Sequence, residues 1–137
     1  MPLARARAFV FALCVSSVAA CLDGDEVVSP LSASGTWVLE SVTGRGPAAG
    51  TVLLTPTGEV VRRVRYAQAA GVLSPEWIAR GTFSIDRAGV LDLRLREDGG
   101  RSMYVWRPNA TLAHSVLRIR YPDPADGPDI VESYRRQ

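Results

Sequence analysis

The chain has no lysine, one histidine and two cysteines in its 137 residues. The lone histidine, His114, has no second His or Cys beside it, so it cannot build a usual zinc site. No serine stands in a Gly-x-Ser-x-Gly context, and a catalytic triad would need His114 beside a nucleophile and a carboxylate. We therefore predict a non-enzyme without metal or cofactor, with His114 exposed in a turn at 113–115.

Neither a basic excess nor a membrane-length apolar run is present. The formal net charge is +2, whereas a nucleic-acid binder usually carries a clear basic excess. The apolar run at 8–18 is about eleven residues long, and a helix that spans a bilayer needs about 20. Sustained helical periodicity and a βαβ pattern are also missing, which argues against a parallel sheet.

The N-terminus carries the most specific motif. Arg5 and Arg7 precede the apolar run, and the small residues Ala19 and Ala20 precede Cys21. The tetrad at 18–21 resembles the lipobox of bacterial lipoprotein precursors. The resemblance implies a signal peptide at 1–20, a diacylglycerol on the Cys21 thiol, and often a further acyl chain such as palmitate on the freed amine. An ordinary secretory signal or an uncleaved anchor is the alternative.

The lipoprotein resemblance also implies where the chain resides and what its mature form contains. Leu22, where an Asp would indicate inner-membrane retention, points to the outer membrane facing the periplasm in a bacterium with two membranes. The remaining chain would hold fourteen Arg against fourteen Asp plus Glu, and no cysteine pair for a disulfide. We predict a flexible tether over 21–34, of about 20 Å as a coil, and one domain over 35–137.

The domain reads as a succession of short strands, in which apolar and polar residues alternate between turn residues. The clearest example is the segment 91–95, in which three leucines (91, 93 and 95) face one way and Asp92 and Arg94 face the other. The predicted strands are 35–43, 51–55, 59–67, 79–85, 90–97, 101–106, 115–121 and 129–136. An antiparallel up-and-down meander of about eight strands hides its edges by closing into a barrel. A β-sandwich is the alternative, because the pattern does not give the strand order.

Several phrases of this domain resemble the small bacterial lipocalin-like domains. They are Gly35-Thr36-Trp37, the hairpin at 53–60, the segments 81–85 and 89–93, and Tyr134-Arg135-Arg136. Thr57 and Val60 depart from the pattern, which usually has Asp and an aromatic residue there. The resemblance implies a lipocalin-like barrel in which Arg136 or Arg135 lies over the ring of Trp37 and fastens the last strand to the first.

Two surfaces of the predicted barrel are candidates for binding. Inward aromatic residues, with the segment 67–77 as the mouth, could line a pocket for a small apolar ligand, or simply fill the core. These candidates are Tyr66, Trp77, Phe83, Tyr104, Trp106 and Tyr121. On the outer face, arginines recur at spacing two, and we expect them to be solvated and paired across strands with acidic residues. The arginines are 63 and 65, 94 and 96, and 118 and 120, and the acidic partners are Asp92, Glu40 and Glu132.

The sequence thus favours a non-catalytic, lipid-anchored envelope protein with a lipocalin-like barrel that binds a small apolar molecule. The alternative is a membrane-tethered interaction module that contacts another envelope protein and has no ligand cavity. An apolar cavity of about 300 Å³ or more beneath 67–78 would favour the first hypothesis, and a flat exposed apolar patch the second. Nothing in the pattern sets the oligomeric state.

Overall fold

A computed structural model of the chain describes residues 27–99 and 105–137, which form antiparallel β structure with two short 3-10 turns. The predicted lipidation site, Cys21, and the signal peptide lie outside the described residues. The strands are β1 (Val27–Val28), β2 (Gly35–Thr43), β3 (Ala49–Leu54), β4 (Glu59–Arg65), β5 (Trp77–Asp86), β6 (Val90–Glu97), β7 (Asn109–Ala113), β8 (Val116–Tyr121) and β9 (Ile130–Arg136). The 3-10 turns are Pro30–Ser32 and Ala69–Gly71.

Strands β2 to β9 close into an eight-stranded antiparallel barrel, which confirms the predicted fold class and excludes the sandwich. Each strand from β2 to β9 pairs with the next along the chain, and β2 pairs with β9 to close the ring. The closing ladder runs from Trp37 opposite Arg136 to Thr43 opposite Val131, with a bulge between Leu39 and Ser41. Closure gives every strand of the ring two neighbours, so none of the eight is a free edge.

One strand of the ring differs from the prediction. Asn109–Ala113 forms β7, which pairs with β6 and β8, whereas the predicted strand was 101–106. Of that segment, residues 101–104 lie outside the described residues, and Trp106 forms only an isolated bridge with Leu95. The five residues of β7 carry only two inward apolar side chains, Ala110 and Leu112. The alternation is therefore too short to stand out in the sequence.

The coil predicted for 21–34 gives way to regular structure by Val27. Val27 and Val28 pair with Asp86 and Ile85 of β5, and a 3-10 turn at Pro30–Ser32 follows. Ala33 is fully buried in the core. The chain from Val27 onwards therefore belongs to the folded unit.

The antiparallel course sorts the connections to two ends of the barrel. The closed end collects the start of β2, the turns at 55–58, 87–89 and 114–115, and the end of β9. The segment 27–34 packs at this end. The open end collects the longer connections 44–48, 66–76 and 122–129, together with residues 98–99 and 105–108. The apolar core fills the closed end.

A tight hairpin at the closed end contains the predicted turn at 113–115. Ala113 pairs with Val116, and both intervening residues, His114 and Ser115, have positive φ angles of 50° and 62°. This is the left-handed geometry that two-residue hairpin turns require. His114 is exposed there.

Trp37 and Arg136 fasten the closed end, as the lipocalin-like resemblance implied. Trp37 is 1% exposed, and its indole Nε1 donates to the carbonyl of Ala33 at 3.0 Å. The guanidinium carbon of Arg136 lies 4.7 Å from the centre of the indole ring. Arg136 Nη2 also donates to the carbonyl of Ser32 at 2.9 Å. One side chain therefore joins the last strand to the first strand and to the segment before it.

We predict that Arg136→Met lowers the free energy of unfolding by about 1–2 kcal/mol, because it removes both the cation–π contact and the bond to Ser32. Arg135→Met is the matched control, since Arg135 forms an exposed ion pair with Glu40, of the kind worth about 0–1 kcal/mol. Urea denaturation of the two variants measures the difference. An equal loss in both would contradict a fastening role for Arg136.

Candidate functional site

The barrel interior contains a buried ion pair between Arg62 of β4 and Glu132 of β9. Arg62 is 6% exposed and Glu132 is fully buried. Both lie on inward faces, because Arg62 alternates in phase with the buried Val60 and Val64, and Glu132 in phase with Ile130 and Tyr134. The sequence-based placement of Glu132 on the outer face was therefore wrong, since the flanking apolar residues set its phase.

The carboxylate of Glu132 accepts four hydrogen bonds. Arg62 donates from Nε to Oε2 at 3.2 Å and from Nη2 to Oε1 in a short contact. The hydroxyls of Tyr121 and Tyr134 donate to Oε1 and Oε2, each at 2.5 Å. We call these four residues the Arg62–Glu132 network. It is neutral overall, and it satisfies both carboxylate oxygens in a place where water is excluded.

The protonation states of the network follow from burial and from the charge of Glu132. Burial alone would lower the pKa of Arg62, but its interactions with Tyr134 and Glu132 raise the pKa above the usual value. Burial and the hydrogen bond to Glu132 raise the pKa of Tyr121, and burial and the charge of Glu132 raise the pKa of Tyr134. The guanidinium therefore stays charged, and both hydroxyls stay protonated donors at neutral pH.

Trp106 packs over this network. The guanidinium carbon of Arg62 lies 5.1 Å from the centre of the Trp106 ring. Tyr121 meets the same ring edge to face, with the ring centres 5.1 Å apart and the planes at 82°. The bridge between Trp106 and Leu95 holds the backbone at this position through two hydrogen bonds of 2.8 and 3.0 Å. The network and Trp106 together form a hydrogen-bonded floor that is aromatic and carries no net charge.

A cavity of about 420 Å³ lies on this floor and opens at the open end of the barrel. Its floor and walls include Arg62, Trp106 and Tyr121, and apolar side chains complete the walls. Those are Ile78, Ala79, Leu95, Pro122 and Pro124. Two residues of the described lining carry a charge, Arg62 and the exposed Glu97. We call this space the open-end cavity.

The structure brings four of the six predicted ligand-binding residues to the open-end cavity. Tyr66, Trp77, Trp106 and Tyr121 line it, and Trp77 stands half exposed at its rim. Phe83 does not reach it and is buried in the apolar core, because its position on β5 lies nearer the closed end. Tyr104 lies outside the described residues. Whether these four side chains bind a ligand stays a prediction.

The segment 66–76 that borders the mouth is held by short-range hydrogen bonds. Ser74 Oγ accepts from the backbone N–H of Tyr66 at 2.9 Å, and the N–H of Ser74 donates to the carbonyl of Tyr66 at 2.8 Å. Gln68 donates to the carbonyl of Val72 at 2.7 Å. Glu76 pairs with the outward Arg63 at 3.4 Å. These bonds fix the segment against β4 and hold the neighbouring Trp77 at the rim.

Sequence reasoning missed the two residues that organise the site, Arg62 and Glu132. Arg62 stands next to Arg63, and the spacing of Arg63 and Arg65 by two drew attention to the outer face. The alternation of the two strands could have revealed both residues. Arg62 occupies the same alternating positions as Val60 and Val64, and Glu132 the same as Tyr134, so both charged side chains point inward. Two opposite charges on inward parities predict a buried pair.

The outer arginines are exposed, as predicted, and several form ion pairs. Arg94 pairs with Asp92 at 2.8 Å, Arg120 with Asp129 at 2.8 Å, and Arg135 with Glu40 at 2.9 Å. Exposed pairs of this kind contribute little to stability.

Within the described ranges, no group of three or more His, Cys, Asp or Glu side chains is placed to hold a metal ion. In the same ranges, no helix has the length and apolar character needed to cross a bilayer.

We predict that Glu132→Gln lowers the free energy of unfolding by about 3–5 kcal/mol, because it leaves the charge of Arg62 buried without a counter-charge. The double variant Arg62→Met with Glu132→Gln should recover most of that loss, since no net charge then remains inside. Arg63→Met, one residue away on the outer face, should cost less than about 1 kcal/mol. Urea denaturation of these variants and of Arg62→Met alone gives the coupling energy, and additive losses would contradict a coupled pair.

No protein-family model, no curated protein and no solved structure matches this chain. What the site does must therefore be inferred from its own geometry.

Proposed function

We propose that the chain is a non-catalytic, lipocalin-like binding protein of the cell envelope that takes a small apolar molecule into the open-end cavity. The observation that carries the proposal is the cavity itself, at about 420 Å³ with mainly aromatic and aliphatic walls. Sites for small molecules are typically concave, about 300–1,000 Å³ in volume, and apolar with a few placed polar groups. The floor supplies such polar groups through Arg62 and Tyr121.

The buried polar groups support binding rather than catalysis. Glu132, the carboxylate nearest the floor, accepts four hydrogen bonds and has no oxygen left to act as a general base. The hydroxyls of Tyr121 and Tyr134 donate their hydrogen bonds to Glu132, and the raised pKa values of both tyrosines keep these hydroxyls protonated. The network therefore acts as a fixed floor beneath a ligand.

We further propose that Cys21 carries the lipid anchor and that the mouth of the cavity faces away from the membrane. Val27 pairs with Asp86 at the closed end, opposite the mouth. Five residues, 22–26, separate Cys21 from Val27, and the six steps from one Cα atom to the next reach at most about 22 Å. An anchor at Cys21 would hold the closed end next to the bilayer, so that a ligand would enter from the aqueous side, which is the periplasm if Leu22 directs the protein to the outer membrane.

An interaction module is the second candidate, and exposed apolar residues beside the mouth favour it. Val72, Leu73 and Trp77 are 57%, 41% and 50% exposed. They could contact another envelope protein without any ligand in the cavity. Binding of a probe inside the barrel separates the two candidates, because it needs the cavity and not the rim.

We predict that the neutral fluorescent dye N-phenylnaphthylamine binds at one site per chain, and that Ala79→Phe weakens binding at least tenfold. Ala79 lines the cavity, and a phenyl ring there would project into the space that the dye must occupy. Thr82→Phe is the matched control, since it adds the same ring to an exposed position on the outer face of the same strand. Fluorescence titration measures both variants. Equal binding by the two would place the dye outside the barrel and favour the interaction module.

For the anchor, we predict that Cys21→Ser abolishes metabolic labelling with an alkyne analogue of palmitate and releases the protein from the membrane fraction. The thiol is the acceptor of the diacylglycerol in the lipoprotein pathway that 18–21 resembles, and stable anchoring needs its acyl chains. Cys14→Ser is the control and should be labelled normally, because its position lies in the predicted signal peptide. Labelling that survives Cys21→Ser would refute the lipoprotein assignment.

A further inference from the structure

Arg62 has hydrogen-bonding capacity that the protein does not use. Its guanidinium has five N–H groups. Nε and Nη2 each donate one to Glu132, and one more interacts with the hydroxyl of Tyr134. At least one N–H of Nη1 therefore has no acceptor among the described residues. Among those residues no side-chain nitrogen or oxygen is both fully enclosed and without a partner. Nη1 is therefore not fully enclosed, and the open-end cavity is the space that Arg62 lines. Arg62, although only 6% exposed, thus has a charged N–H donor without an acceptor at the floor of an apolar cavity.

The charge of this floor is already balanced. Glu132 neutralises Arg62 through two hydrogen bonds, and the other charged residue of the described lining is Glu97, which is acidic. A carboxylate placed at Nη1 would meet a neutral pair and an acidic wall, so its own burial would go uncompensated. A neutral oxygen acceptor would gain the charge-assisted hydrogen bond without that desolvation cost.

The walls select for shape. The rings of Tyr66, Trp77, Trp106 and Tyr121 border the cavity, and Trp106 is fixed between Arg62 and Tyr121. Flat faces and edges held at set angles favour a flat aromatic guest over a flexible chain, which would lose more conformational freedom on binding.

We propose that the open-end cavity binds a neutral, planar aromatic molecule with a carbonyl oxygen, and that this oxygen accepts a hydrogen bond from Nη1 of Arg62. This inference rests on the proposed binding function and adds the chemical class of the ligand. It assigns Arg62 two tasks, since Nε and Nη2 hold Glu132 while Nη1 recognises the ligand.

Three fluorescent probes that share one ring system test the proposal. Propionyl-dimethylaminonaphthalene carries a ketone, dimethylaminonaphthoate carries a carboxylate in its place, and dimethylaminonaphthalene carries neither. Titration of the wild-type protein at neutral pH should give about tenfold tighter binding of the ketone than of the acceptor-free compound, as expected for one hydrogen bond to a charged donor. The carboxylate should bind more weakly than the ketone.

The variant that removes the donor is Arg62→Met combined with Glu132→Gln, because the double change leaves no unpaired charge inside the barrel. It should bind the ketone and the acceptor-free compound equally, while Arg63→Met keeps the tenfold preference. Infrared spectra of the ketone bound to the wild-type protein give a second measurement that needs no variant. The carbonyl stretch should move to lower frequency than in an aprotic solvent.

The outcomes separate the two levels of the proposal. Binding of all three probes without preference, or an unshifted carbonyl stretch, would overturn the role of Arg62 and leave the apolar cavity intact as a binding site. Tightest binding by the carboxylate would show that Arg62 acts as an uncompensated cation, and would overturn the neutral ligand class. No binding by any of the three would overturn the proposed binding function itself.

Discussion

The ion pair between Arg62 and Glu132 imposes a constraint on the rest of the barrel interior. A charged pair that is withdrawn from water must recover its lost hydration from fixed hydrogen bonds. Two bonds from Arg62 and two tyrosine hydroxyls supply them here. The residues involved come from β4, β8 and β9, so the pair connects strands that are not all neighbours in the ring. The side chains around the pair must therefore include hydrogen-bond donors for Glu132, here the hydroxyls of Tyr121 and Tyr134.

This network divides the barrel into two parts with different roles. Towards the closed end, the core is continuous and apolar, and Trp37 with Arg136 seals it against the segment 27–34. Towards the open end, Trp106 and Tyr121 cap the network and leave a cavity beneath the longer connections. The buried hydrogen bonds of the network hold the floor of the cavity in place. The floor therefore does not have to be ordered when a ligand binds, which lowers the entropic cost of binding.

The fold could largely be predicted from local patterns, and the site only in part. Period-two alternation located most strands, with 35–43 and 90–97 matched to the residue. It failed at β7, whose five residues contain too little alternation to be recognised. Apart from Trp77, which ends the predicted mouth segment, the aromatic candidates were chosen by inward parity, which does not give depth along the barrel axis. Phe83 and Trp106 therefore received the same assignment, although one lies in the apolar core and the other over the floor of the cavity.

The sequence by itself determined the strand alternation and the turns, because these depend on side-chain period and on neighbours along the chain. It also contains the motif at 18–21, which no fold is needed to recognise. Closure into a barrel rather than a sandwich was decided by the strand order of the tertiary structure. The tertiary structure alone decided that Arg62 meets Glu132 across 70 positions of sequence, and that an open cavity remains above them. The physical reason is that a buried charge pair and an unfilled volume depend on which inward side chains of distant strands meet at one level, and this is fixed only when the barrel closes.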